Sequence, residues 1–243
     1  MPNLWTVILL SILFSSLPAY GETIHTVNGE NVPRPARPTV TELFILEAEL
    51  LTLKATSLLT PPQDILKRVA QELEIIQTSH LDVSEIHPRF TWSPHNMTLH
   101  FDTDAAKALD DDSYHTWDNL NSRYRVTQII IIKSEWATLK FAEPYNMPLL
   151  VNEYSKLPNV VYADPGYTLG DGDDICLTIE GGVHFYIFKA GSGDCYSGCV
   201  NRTYWGFSAD SQGQIMELGM WKRDYYNSKP SWLKDHGTCE KSF

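Results

Sequence analysis

Between residues 97 and 163 the spacing of apolar side chains switches repeatedly between two-residue and helical periods, which limits the fold more than any other feature. Residues 97–101 alternate as a half-buried strand does, and residues 113–124 carry helical spacing. Residues 125–132 form a β-branched strand containing Ile129, Ile130, Ile131 and Ile132, and residues 137–142 read as a third strand. A helix over 147–156 and a strand over 159–163 follow, separated by a turn at Leu157-Pro158. The predicted order is β-α-β-β-α-β, so strands two and three are joined by a turn and the other connections run through helices.

That order is the signature of a ferredoxin-like unit. Upstream, Thr39 and Glu42 fit a capping box, and Leu43, Leu46, Leu50 and Leu53 follow on one helical face. Pro61-Pro62 ends this helix and opens a second, striped by Ile65, Val69, Leu73 and Ile76, so residues 39–80 predict a helical hairpin. Downstream of residue 170, short strand-like runs at 177–179, 183–189, 203–208 and 214–219 are separated by Gly, Asp and Ser turns. Residues 222–243 read as a polar tail carrying Trp232 and Cys239. The expected class is α+β: an N-terminal helical hairpin, a ferredoxin-like βαββαβ unit over 97–167, and a C-terminal antiparallel β-sheet with disulfides.

The run Tyr154-Ser155-Lys156-Leu157-Pro158-Asn159-Val160-Val161-Tyr162-Ala163-Asp164-Pro165, with the element order before it, resembles the closing helix and strand of the propeptide/inhibitor module of subtilisin-like proteases. The resemblance spans residues 97–167. It implies a module that packs on a protease and lays its tail in the substrate cleft. The residues after Tyr167 carry none of that family's catalytic motifs, so what it implies for this chain is a free inhibitor, not a propeptide.

Residues 1–21 predict a cleaved signal peptide. An apolar stretch at 4–13 is too short to span a bilayer, and Ala19 and Gly21 place small residues before a cut at Glu22. Residues 22–38, with Pro33, Pro35 and Pro38, read as an extended, mobile lead-in. The destination is therefore secretion, with no membrane association after cleavage. A secreted chain should oxidise its cysteines. All four lie in the last third; Cys195 with Cys199 would close a Gly-rich loop, and Cys176 with Cys239 would tie the tail to the sheet.

The chain carries 30 acidic against 19 basic side chains, a formal charge of −11, which disfavours nucleic acid as a partner. The acidity is local. Nine Asp against one Lys fall in residues 102–112 and 164–174. Asp171, Asp173 and Asp174, with Asp194 in a later loop, are candidate calcium ligands, because hard oxygens on Gly-rich backbone suit that ion. The same residues are ordinary turn formers, and the spacing lacks the EF-hand period and its closing Glu. Asp110, Asp111 and Asp112 are expected to lead into the following helix. Asn96 and Asn201 head glycosylation sequons.

No catalytic residue is assigned. The run Gly206-Phe207-Ser208-Ala209-Asp210 begins like a nucleophile elbow but ends in Asp, and the eight His are dispersed. The sequence therefore predicts a secreted, non-catalytic binding protein for an extracellular protein or ligand, with no cofactor other than calcium in view and the C-terminal loops as the contact surface. The alternatives are an acidic calcium-binding or mineral-matrix component, and a secreted protease inhibitor or hydrolase without a sequence motif.

Overall fold

The computed structural model describes residues 22–26, 40–133, 135–167, 170–223 and 228–236. The leader at 1–21, the cap residue Thr39 and Cys239 lie outside them. In chain order, β1 (Glu22–Thr26) is followed by the hairpin α1 (Val40–Thr56) and α2 (Gln63–Ser79) and a short 3-10 turn, Leu81–Val83. Then come β2 (Asn96–Phe101), α3 (Thr103–Asp110), α4 (Asp118–Arg123), β3 (Val126–Ile132), β4 (Trp136–Phe141), α5 (Met147–Tyr154) and β5 (Val160–Asp164). The last part is β6 (Asp174–Glu180), β7 (Val183–Ser192), β8 (Asn201–Ala209), β9 (Ile215–Lys222) and α6 (Ser231–His236).

Two antiparallel sheets result. The first has five strands in the order β1-β3-β4-β2-β5, and the second is a four-strand meander, β6-β7-β8-β9. The hairpin ahead of them differs in texture between its two helices. In α2 the buried Leu66, Val69, Leu73 and Ile76 form one stripe. In α1 burial runs without a break from Glu47 to Leu53, so its polar residues go inside along with its leucines. Leu50 and Leu53 join the core beneath the five-stranded sheet, while Ala48 and Leu51 join the core beneath the meander. This one helix therefore serves both cores. It stops at Ser57, whose left-handed backbone (φ 54°) closes the last turn with a bond from its N–H to the Leu53 carbonyl (3.0 Å).

Most polar residues buried on the hairpin are met by groups from distant elements, as burial requires. Glu49 on α1 meets His95 Nε2 (2.8 Å), and Glu47 meets His87 Nδ1 (2.7 Å). Lys54 donates to the Arg89 carbonyl (2.9 Å). On α2, Glu72 accepts from Tyr186 Oη and pairs with His184 Nδ1, both at 2.6 Å, while its other oxygen takes Arg68 Nε at 2.6 Å. Arg68 also donates to the carbonyls of Gly182, Ala209 and Asp210, fastening α2 to two turns of the meander. Burial would raise the Glu72 pKa, but the bonds from His184, Tyr186 and Arg68 outweigh it and hold the carboxyl below its ordinary value.

Four sequence expectations need correction. The start of the lead-in is a strand paired with β3, from Glu22 opposite Ile132 to Thr26 opposite Gln128, because β3 otherwise presents a free edge. The helix expected over 113–124 covers only Asp118–Arg123; a separate helix, α3, precedes it, capped by Asp102 Oδ1 accepting from the N–H groups of Asp104 and Ala105. The run 110–112 therefore closes α3 instead of opening the next helix. The tail is not merely polar: Leu233 of α6 is buried with Ile187 and Tyr204 on the outer face of the meander. Trp232 lies over Gly206, where an added Cβ would come within 2.6 Å of the indole.

Glu72→Ala should destabilise the protein by about 3–5 kcal/mol in urea unfolding, since it leaves His184, Tyr186 and Arg68 without their acceptor. Because the folded-state pKa of Glu72 is lowered, its contribution is full above the unfolded value of about 4.3 and is lost as pH falls towards the folded one. The wild type should therefore lose more stability than the variant on acidification below about pH 4.

Candidate binding surface

The register of the five-stranded sheet sorts its side chains cleanly. Met97, Leu99, Phe101, Ala137, Leu139 and Ile131 enter the core, where the apolar residues of α1, α3 and α5 meet them. Their neighbours in sequence point the other way. On that outer face Tyr162 stands opposite His100, His100 opposite Trp136, and Trp136 opposite Ile132, a single row across four strands. The His100 and Trp136 rings stack at 4.2 Å. The next row runs Asp164, Thr98, Thr138, Ile130, with the two threonine hydroxyls 3.3 Å apart.

His100, Trp136, Ile130 and Ile132 are half-buried, and Tyr162 is 48% exposed. Among the described residues, no helix contributes to an apolar cluster on this face. A solvated sheet face normally alternates to polar residues, whereas strands apolar on both sides are ordinarily covered on both sides. The Ile129–Ile132 run in β3 is apolar on both sides but, among the described residues, covered on one. The same side ends in edge strand β5, where Val161 is exposed, and in the exposed Tyr167 just beyond it.

A second exposed feature is the loop closed by the disulfide Cys195–Cys199. Tyr196, 82% exposed, and the exposed Val200 stand on it. Its base is held from below. Asp171 Oδ1 takes Lys189 Nζ at 2.6 Å, while Oδ2 takes Arg202 Nη2 at 2.8 Å and the Cys199 N–H at 3.1 Å. Burial would raise the Asp171 pKa, but the Lys189 bond, the Gly172 and Cys199 amides and the Lys189 charge hold it far below the carboxylate range. Gly191 is required beside this clamp, since a Cβ there would fall 2.4 Å from Cys199 Sγ.

The four candidate calcium ligands are thus engaged separately. Asp171 belongs to the cationic clamp, Asp173 accepts from the Gly191 N–H (2.8 Å), and Asp174 accepts from the N–H groups of Arg89 (2.8 Å) and Ile175 (2.9 Å). Burial raises the pKa of Asp174 despite the nearby Lys54 charge. Asp194 accepts from the Tyr196 N–H and Ser197 Oγ inside the stapled loop. Among the described residues, no group of three or more His, Cys, Asp or Glu is placed to hold a metal ion.

Cys176 is also disulfide-bonded. The remaining expectation, its pairing with Cys239, lies outside the described residues. Asn96 opens β2, half-buried, with its amide donating to Ser93 Oγ (3.1 Å); Asn201 opens β8 and is exposed. Ser208 is buried within β8, so the elbow-like run has no strand-to-turn exposure of its hydroxyl.

Comparison with protein-family models, with curated proteins and with solved structures finds no match. The structure itself defines an α+β protein with two antiparallel sheets, one described disulfide, and, among the described residues, no helix long and apolar enough to cross a membrane.

Asp171→Asn should cost about 3–5 kcal/mol, because it strands the charge of buried Lys189. The amides around Cys199 should then exchange faster in hydrogen-exchange mass spectrometry than those of α2, which the change does not touch.

Proposed function

We propose that this is a secreted, non-catalytic binding protein that meets an extracellular protein partner through the outer face of its five-stranded sheet. The observation that carries the reading is β3: Ile130 and Ile132 lie on the side that no described helix covers, Ile132 in a row with Trp136, His100 and Tyr162 and Ile130 in the adjacent row with Thr138 and Thr98. An apolar and aromatic patch rimmed by Thr98, Thr138, Asp164 and Lys140 has the make-up of an interaction surface. Secretion is supported by the leader-like residues 1–21 and by the oxidised cysteines. The C-terminal loop bearing Tyr196 is a second, smaller contact region, made rigid by its disulfide and by the Asp171 clamp.

We read residues 97–167 as a ferredoxin-like unit. The order β3-β4-β2-β5 supports this, since the first strand of the unit lies between its third and fourth and the second is outermost. One observation favours a narrower second reading, inhibition of a subtilisin-class protease: Tyr162 and Tyr167, at the end of the segment that resembles the propeptide/inhibitor module, are exposed and free to enter a cleft.

Ile132→Lys and Trp136→Ser should each change stability by less than about 1 kcal/mol, as substitutions on an open face do. Each should abolish capture of partner proteins from extracellular fluid, while Tyr196→Ala weakens it less. Capture unaffected by both face variants would sink the proposal. For the second reading, titration into a subtilisin-class protease should give stoichiometric inhibition that Tyr167→Gly weakens; cleavage of the chain without inhibition would exclude it.

A further inference from the structure

The helical hairpin packs on the inner face of the meander, with α1 against β6 and α2 reaching β9, and it ends at Ser79. Where it stops, a cleft of about 330 Å³ opens between the Leu81–Val83 turn and strands β8 and β9. Its apolar lining comes from Trp205, Phe207, Leu81 and Val83. The His80 ring lies tilted on Phe207 at 4.7 Å, so Trp205 is the indole left half-exposed in the cleft. Directly across the ladder from Trp205 is Met220, 59% exposed, and Leu81 is 84% exposed. An edge of this kind, lined by large apolar groups and open to solvent, is the sort of concave site small molecules occupy.

The charged lining has one sign. Asp82 and Glu217 line the cleft, no Lys or Arg among the described residues does, and both carboxylates belong to exposed residues. Glu217 approaches His80 Nδ1 at 3.7 Å, too long for a hydrogen bond that would consume it. A π-face beside two carboxylates attracts a cation twice over, through the ring quadrupole and through the negative charge. A bare metal ion would want several oxygens converging at short range, which Asp82 and Glu217 alone do not supply. The polarizable thioether of Met220 and the side chain of Leu81 suit an alkyl group instead.

We propose that this cleft binds an organic ammonium ion, its alkyl groups on Trp205, Leu81 and Met220 and its charge between Asp82 and Glu217. The site shares no residue with the outer face of the five-stranded sheet and is independent of the function read there.

Calorimetric titration of the full secreted chain with choline tests it, with the uncharged tert-butyl isostere of choline as the control. Choline should bind saturably at millimolar concentration, and the isostere at least about tenfold more weakly. Glu217→Gln and Trp205→Leu should each weaken choline about tenfold, and the exposed Glu217 change should leave the unfolding midpoint in place. A blocked peptide with a single lysine distinguishes a protein side chain from a free ammonium ion. Binding of either cation, lost in Glu217→Gln, supports the site. Equal binding of choline and its isostere, or no saturation by either cation up to about 50 mM, overturns it.

Discussion

The structure depends on the burial of α1. A helix buried over its whole middle, from Glu47 to Leu53, must be covered on more than one side, and this chain does so by placing a sheet-based core on each. Leu50 and Leu53 look to one sheet, Ala48 and Leu51 to the other. Both sheets therefore turn a helix-bearing face inward, and each is left with an outer face to dispose of. The meander covers its own with α6, through Leu233, Trp232 and Ile187. For the five-stranded sheet no described helix does the same. The proposed binding face is thus a consequence of how the central helix is buried.

Burying α1 also buries Glu47, Glu49 and Thr52, and the partners of the two carboxylates show how the parts are joined. His87 and His95 sit on the connector between the hairpin and β2, so the carboxylates of α1 hold that connector against the helix. Burial would lower the His95 pKa, but the bond to Glu49, the Glu49 charge, the Phe141 carbonyl and the Glu143 charge together outweigh this and raise it. The contribution of that pair is therefore full below the unfolded value of about 6.5 and declines as pH rises through the folded one. Glu72 and Asp171 behave in the opposite sense, losing their contribution on acidification. Stability is drawn from both directions of titration, which favours an intermediate pH.

Much of this was legible in the residues. The alternation of β2 and β4, the β-branched β3, the stripe of α2 and the Gly-Gly hairpin between β6 and β7 are local patterns, and local patterns survive into the fold. What was not legible is what distance along the chain hides. His184 and Tyr186 meet Glu72 across more than a hundred residues, and Lys189 with Arg202 turns Asp171 from a candidate calcium ligand into the anion of a buried clamp. The leading and trailing segments also resisted reading, because β1 and α6 owe their structure to the β3 edge and the groove over Gly206, not to their own periodicity. The proposed binding face did leave one signal. The Ile129–Ile132 run is apolar at both parities, and the composition of such a strand by itself calls for a cover on each side.

In the proposed reading, the outer face of the five-stranded sheet is open in the free protein and waits for a partner. Hydroxyl-radical footprinting of the purified chain tests this, since Trp136 and Tyr162 are reactive reporters on that face, one on an inner strand and one on its edge. Both side chains should be oxidised far faster than buried Tyr154 or Tyr186. Protection of Trp136 and Tyr162 to the level of Tyr154 would mean that the chain covers this face itself, and the binding surface would have to be sought elsewhere.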